Sequence, residues 1–276
     1  MAWPDRSELD QPVLRQPVLA LDTSTERLSV AVKNGADVLS WEGVGGAQSS
    51  AQLIPAIERL MQQAGLRYAD LACIAFGQGP GAFTGLRTAC AVAQGLGFAA
   101  GVPLLPVDSL MATAESAWQS AMATHHHPPG WRVLALLDAR MDEVYAAVFE
   151  RSAQGWQVLQ DAQLRSPDTL GELISHHAVH ATCGNALEVY GSRLGSARPA
   201  AWNDSRDTTA APAGVTAGTP IEAVPRLSSW PAASAMLGLV PHLIAQGHAV
   251  DASQAMPRYI RNKVAQTTAE REALKR

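Results

Sequence analysis

Two aspartates sit where a sequence of this kind could do chemistry. Asp22 ends the apolar run Val18-Leu19-Ala20-Leu21 and is followed by the hydroxyls of Thr23, Ser24 and Thr25, and Asp138 ends the similar run Leu134-Ala135-Leu136-Leu137. A carboxylate at the tip of a strand buried on both faces can hold a metal or a phosphate-bound water, and two in matching places would face one another across a cleft. Each also reads, taken alone, as a turn in which Asp and Thr satisfy backbone donors. Between them, Gly79-Pro80-Gly81-Ala82-Phe83-Thr84-Gly85-Leu86-Arg87 joins a strand to a helix through glycines. Free N–H groups and a helix N-terminus there could cradle an anion, although a tight structural turn needs the same glycines. No Gly-Lys-Ser/Thr follows, so this is not a Walker loop.

Other reactive side chains read more plainly. His176 and His180 have the i, i+4 spacing of a helical metal pair, with His177 beside them. Few acidic residues stand nearby and the segment ends close to the next strand, so the reading is an unmetallated cluster; His125 to His127, before Pro128-Pro129, read as loop in the same way. Cys73, Cys90 and Cys183 are odd in number, far apart and without CxxC spacing. They read as core thiols of a reducing compartment, not as a disulfide framework or a zinc knuckle.

Stepping outward along the chain, strands are expected at 18–21, 28–32 and 38–41, with a turn at 33–36, which makes a three-strand meander. Ser49 or Ser50 is expected to cap a helix with apolar positions at Leu53, Ile54, Ile57, Leu60, Met61 and Ala64, kinked at Pro55 or starting there. A strand at 71–76, a small-residue-rich helix at 83–100, a strand at 104–107 and a helix at 109–122 follow. The strand ending in Asp138 and the returning strand 144–149 repeat the opening of the chain 116 residues on, which points to two related lobes. The second copy continues with a strand at 156–164, a helix at 169–177, a strand at 179–183 ending at Gly184-Asn185, a solvent loop at 203–220, and a helix at 232–246 disturbed at Pro241 and closed by Gly247.

Composition sets the outer limits. The chain has 276 residues, 47% hydrophobic and 17% charged, enough for one large domain or two lobes that bury their cores without disulfides or a structural metal. Its 21 basic and 25 acidic residues give a net charge of -4, without the positive excess that a stand-alone nucleic-acid binder needs. Any grip on RNA would therefore come mostly from a partner. No run of about 18 apolar residues signals a membrane span. The polar leader, with Asp5, Arg6, Glu8, Asp10 and Arg15, does not read as a signal peptide, so a cytoplasmic location is expected.

The string GPGAFTGLR closely resembles the GPGSFTGxR signature of the bacterial TsaB (YeaZ) family, and LALDTSTE, LLDARMDEVYAAVF and PRYIRNKVA resemble that family in the expected order, across residues 17 to 265. The resemblance implies an α/β protein with the two-lobed, actin-like (ribonuclease H-like) ATPase fold in degenerate form. On that reading, 1–16 is a polar leader, 17–108 an N-terminal lobe carrying partner-binding helices, 109–250 a C-terminal lobe and 251–276 a C-terminal segment. The implied role is a non-catalytic partner and activator of the TsaD threonylcarbamoyltransferase, which forms threonylcarbamoyladenosine next to the anticodon of tRNA. TsaE, an ATPase, joins the assembly; tRNA is met only through the complex, and the subunit alone forms a homodimer by the same surface. That surface is expected at Leu53, Ile54, Ile57, Leu60, Met61, Ala89, Ala93 and Leu96, where a charge at Ile57 or Leu60 should block pairing and leave the monomer folded.

Asp22, Thr23, Gly79, Gly81, Thr84, Gly85, Arg87 and Asp138 would then line a degenerate nucleotide-type cleft, with no catalytic residue, no metal and no tightly bound cofactor, ATP or ADP entering only in the assembled complex. Departures from the relatives support this. Where TsaD carries a His-x-x-x-His metal pair, this chain has Ser109 and Thr113, which cannot replace imidazole. Ala82 stands for the usual serine and Ser49 for a frequent histidine. An active ATP-dependent phosphotransferase or ATPase using Asp22, the glycine loop and Asp138 is the alternative. A peptidase lacks both a placed metal pair and a nucleophile next to a base.

Overall fold

The computed structural model describes residues 16–122, 130–191, 193 and 224–261; the leader, His125 to His127 and the 203–220 loop lie outside the described residues. The first half runs β1 (Val18–Asp22), β2 (Arg27–Asn34), β3 (Asp37–Val44), α1 (Ser49–Gln63), β4 (Cys73–Gly79), α2 (Phe83–Ala100), β5 (Leu104–Asp108) and α3 (Ser109–Met122). The second runs β6 (Trp131–Arg140), β7 (Glu143–Ser152), β8 (Gly155–Arg165), α4 (Leu170–His177), β9 (Ala181–Cys183), α5 (Ala186–Tyr190), β10 (Arg226–Leu227) and α6 (Ala233–Ala245). One sheet has the order β3-β2-β1-β4-β5 and the other β8-β7-β6-β9-β10. In each, three antiparallel strands are extended by two parallel ones. The repeat marked by Asp22 and Asp138 is thus a repeat of a whole sheet.

Strand periodicity decides which face meets what. On β1, Leu19 and Leu21 join a core with α1 and α2, while Val18 and Ala20 face a second core between the sheets. On β6, Leu134 and Leu136 pack with α4 and α5, and Val133, Ala135 and Leu137 enter the shared core. Successive side chains point to opposite faces, so an unbroken apolar run serves two cores at once. α3 and α6 fill the space between the sheets: α6 lies against β1 and β2 of the first half, and α3 reaches β6 and β7 of the second. A border at residue 108 therefore separates the sheets but not the helices that cover them.

The start of α1 differs from the one expected. Its N-cap is Gln48, with no side-chain cap bond, and the Ser49 hydroxyl is buried without a partner. Pro55 neither starts nor ends the helix. It lies on the exposed side with Ala51, where water can replace the bond that a proline withholds.

The partner face is corrected more deeply. Leu53, Ile57, Leu60, Met61, Ala89 and Ala93 are all buried in this chain's own core against β1, β2 and β4, and Leu96 is half-buried against it; only Ile54 is exposed, at 47%. The sheet already covers the apolar stripe. Among the residues that the two helices expose are Ala51, Ile54, Pro55 and Glu58 on α1 and Ala91, Gly95, Phe98 and Ala99 on α2, beside polar ones such as Arg59 and Gln62. Phe98 is 84% exposed, an unusual place for a large aromatic ring. No helix among the described residues is long and apolar enough to cross a membrane.

Candidate functional site

Asp22 does reach the end of β1, but it does not look into an open cleft. It is 1% exposed, and its Oδ1 accepts the Ser24 N–H and hydroxyl, both at 2.8 Å. Its Oδ2 lies over Gly77, where any Cβ would collide with it, and has no partner; the Ser109 hydroxyl is likewise buried and unpartnered. Burial pushes the carboxyl up to about 7, against the Ser24 backbone and hydroxyl and the Ser109 hydroxyl, which favour its charged form.

The glycine loop is filled by the chain itself. Thr23 Oγ1 donates to the Gly85 carbonyl at 2.6 Å, and Ala82 N–H donates to the Ser24 carbonyl at 2.7 Å. A Cβ on Gly81 would collide with the Ser24 carbonyl and one on Gly85 with the Thr23 carbonyl. On its other side, Gly79, at φ 117°, lies against the Arg258 carbonyl, and Arg258 N–H donates to the Gln78 carbonyl at 2.7 Å. These glycines let backbone approach backbone, which is the turn reading and not the anion cradle. Ala82 caps α2 with no side-chain bond, and Thr84, exposed, accepts the Thr88 hydroxyl on its carbonyl. Arg87 donates to the Tyr259 hydroxyl at 3.0 Å and lies 3.8 Å over the Phe83 ring.

Asp138 has its own, separate partners. Its Oδ1 accepts the Arg140 N–H at 2.7 Å and the Tyr190 hydroxyl at 2.9 Å, and Arg140 pairs with its Oδ2 at 3.0 Å. The two aspartates are therefore not a pair of free carboxylates. Arg140, Met141 and Asp142 all have positive φ in the β6–β7 turn. Arg261 holds this strained tip through the Arg140 carbonyl and Glu143, and Arg193 holds it through Asp142. The segment carrying Arg261 first runs along the first half: Val250 bridges Leu104, the Ala255 carbonyl accepts from Gln94, and Arg258 pairs with Asp108 at 2.9 Å. Asp108 Oδ1 caps α3 through Leu110 and Met111 N–H.

A side chain that sequence reasoning passed over ties the halves together. Glu26, the last residue of LALDTSTE, accepts the Asn185 amide at 3.0 and 3.2 Å and the Trp230 indole at 3.0 Å. The one signal was Asn185 itself, at the end of the second copy's parallel strand. Thr113 turns its hydroxyl to the Ser109 carbonyl at 2.7 Å. Among the described residues no group of three His, Cys, Asp or Glu side chains could hold a metal ion. α4 ends at His177, so His176 and His180 do not share a helix face, and His180 Nδ1 accepts the Arg132 N–H at 3.0 Å. The three cysteines are free and buried.

Around Asp22 and the glycine loop, protein atoms take the Ala82 N–H and the space beside Gly77, Gly81 and Gly85. Fold and site together define a two-lobed α/β protein built on a repeated five-stranded sheet. The family model described as tRNA N6-adenosine threonylcarbamoyltransferase, TsaD, matches residues 44–190. The chain is 31% identical to the tRNA threonylcarbamoyladenosine biosynthesis protein TsaB of Escherichia coli over 90% of this chain and 96% of that protein. It is 37% identical to the protein of the same name from Haemophilus influenzae over 46% and 51% of the two chains. The solved structure of YeaZ from Pseudomonas aeruginosa superposes with a TM-score of 0.69, at 30% identity, covering 88% of this chain and 99% of that one. The chain belongs to the TsaB family.

Proposed function

We propose that this protein is the non-catalytic partner and activator of a TsaD threonylcarbamoyltransferase, acting in the cytoplasm in the biosynthesis of tRNA threonylcarbamoyladenosine. Membership of the TsaB family carries the pathway and the TsaD-containing complex. One observation supports the subunit's part in it: Asp22 and the glycine loop are packed against the chain's own groups, while α1 and α2 leave Ile54, Phe98 and a strip of small residues uncovered. Small residues permit close helix approach, and an exposed aromatic ring is the usual energetic centre of an interface. TsaD docks on this outer face, and a second copy of the chain uses it when TsaD is absent. TsaE and any ATP or ADP join only in the assembled complex, and tRNA is gripped by the complex and not by this subunit alone.

The test is reconstitution. TsaD, TsaE, tRNA, ATP and threonylcarbamoyl-adenylate are combined with and without this chain, and modified adenosine is measured. Modification should depend on the chain and fall with Phe98→Asp. Modification independent of the chain would overturn the proposal.

A further inference from the structure

An exposed carboxylate bridges the two halves of the chain. Glu26 projects from the turn between β1 and β2, and both side chains that donate to it, Asn185 and Trp230, come from the second half. Asn185 is buried, and its Oδ1 accepts the Asp138 N–H at 3.0 Å, which turns its amide N–H groups toward Glu26. Trp230 is held from the first half as well: Arg27 lies 3.5 Å over its ring while pairing with Glu42. Burial alone would raise the Glu26 carboxyl, yet the Trp230 indole, its own backbone, the Asn185 amide and the Arg140 charge together hold it below its ordinary range. Two neutral N–H donors, the Asn185 amide and the Trp230 indole, touch the carboxylate, and the Arg140 guanidinium, itself paired with Asp138, adds only its charge nearby.

We propose that Glu26 is an intramolecular anionic ligand: it occupies a carboxylate-binding site formed by the Asn185 and Trp230 donors, latches the β1–β2 turn to the second half, and denies that site to external anions. The inference stands on this geometry whether or not the subunit activates TsaD. The latch is local to that turn, because α3 and α6 pack between both sheets and fix the lobes behind it. Removing the carboxylate leaves the Asn185 and Trp230 donors open at the surface, where a small carboxylate can take its place.

Amide hydrogen exchange on the full chain tests this, with formate as the probe. In Glu26→Ala, exchange around Asn185 and Trp230 should rise by about tenfold or more, while α1 and α2 keep wild-type protection. Millimolar formate should restore protection in that variant, chloride at equal ionic strength should not, and titration calorimetry should show saturable formate binding absent from the wild type. Wild-type exchange in Glu26→Ala, or equal effects of formate and chloride, would overturn the proposal. If Glu26→Ala does not fold by circular dichroism, Glu26→Gln decides. That variant keeps the shape but lacks the charge, so the same two segments should exchange faster without response to formate; unchanged exchange would overturn the latch.

Discussion

Asp22 is the residue whose chemistry differs most from what its position suggests. Its native carboxyl titrates near 7 against an ordinary value of 3.8. The native state therefore binds more protons than the unfolded chain between those values, and this group's contribution to stability falls as pH rises through that window. The shift corresponds to on the order of 4 kcal/mol at full ionisation. Asp22→Asn should be more stable than wild type at about pH 8 and lose most of that advantage at about pH 5, read by urea denaturation. Asp108, also raised by burial, adds a slope of the same sign in both proteins, so the variant flattens the profile without levelling it. Glu26, held low, acts only at more acidic pH. Gly85 offers a second check: alanine there collides with the Thr23 carbonyl and should cost about 3 kcal/mol, against little at exposed Gly95, where nothing lies near an added Cβ. The strand-end positions of Asp22 and Asp138 were legible in the sequence because an apolar run followed by Asp is a local pattern. Their partners were not, since Glu26 meets Asn185 and Trp230 across 159 and 204 residues.

Among the elements, α2 and α3 have the bounds that their sequences imply, since an N-terminal glycine turn, a long apolar period and Gly101 at the C-cap mark α2 without tertiary help. α5 and β10 were not legible; one has five residues and the other two, too short for any period to register. The stripe on α1 was legible as a stripe, but periodicity shows only that a face is buried and not what buries it. That distinction changes the mutagenesis. Leu60→Asp places a charge in the core under β2 and should cost about 4 kcal/mol or more, unfolding the first half. Phe98→Asp should change stability by less than about 0.5 kcal/mol, because the ring is in water, while weakening TsaD capture by about tenfold or more. Thermal melts and co-purification separate the two; a Phe98→Asp protein that binds TsaD normally would remove α2 from the interface.

For the whole molecule, a net charge of -4 predicts weak tRNA binding by the isolated chain at physiological salt, with affinity rising steeply only as salt is lowered; filter binding across a salt series checks it. The two-lobed plan was legible because both sheets open with the same apolar run and aspartate. The exchange of covering helices was not, since α6 reads as an ordinary apolar helix wherever it is placed. Yet that exchange governs how the protein must come off the ribosome. The inner side of β1 and β2 is roofed by α6, whose last residue is Ala245, so a nascent chain that has emerged only as far as Met122 carries a completed sheet with one greasy side bare. Neither half can close before α6 has been made, and a fragment of the first 122 residues should recruit chaperones or precipitate instead of folding as a small independent unit.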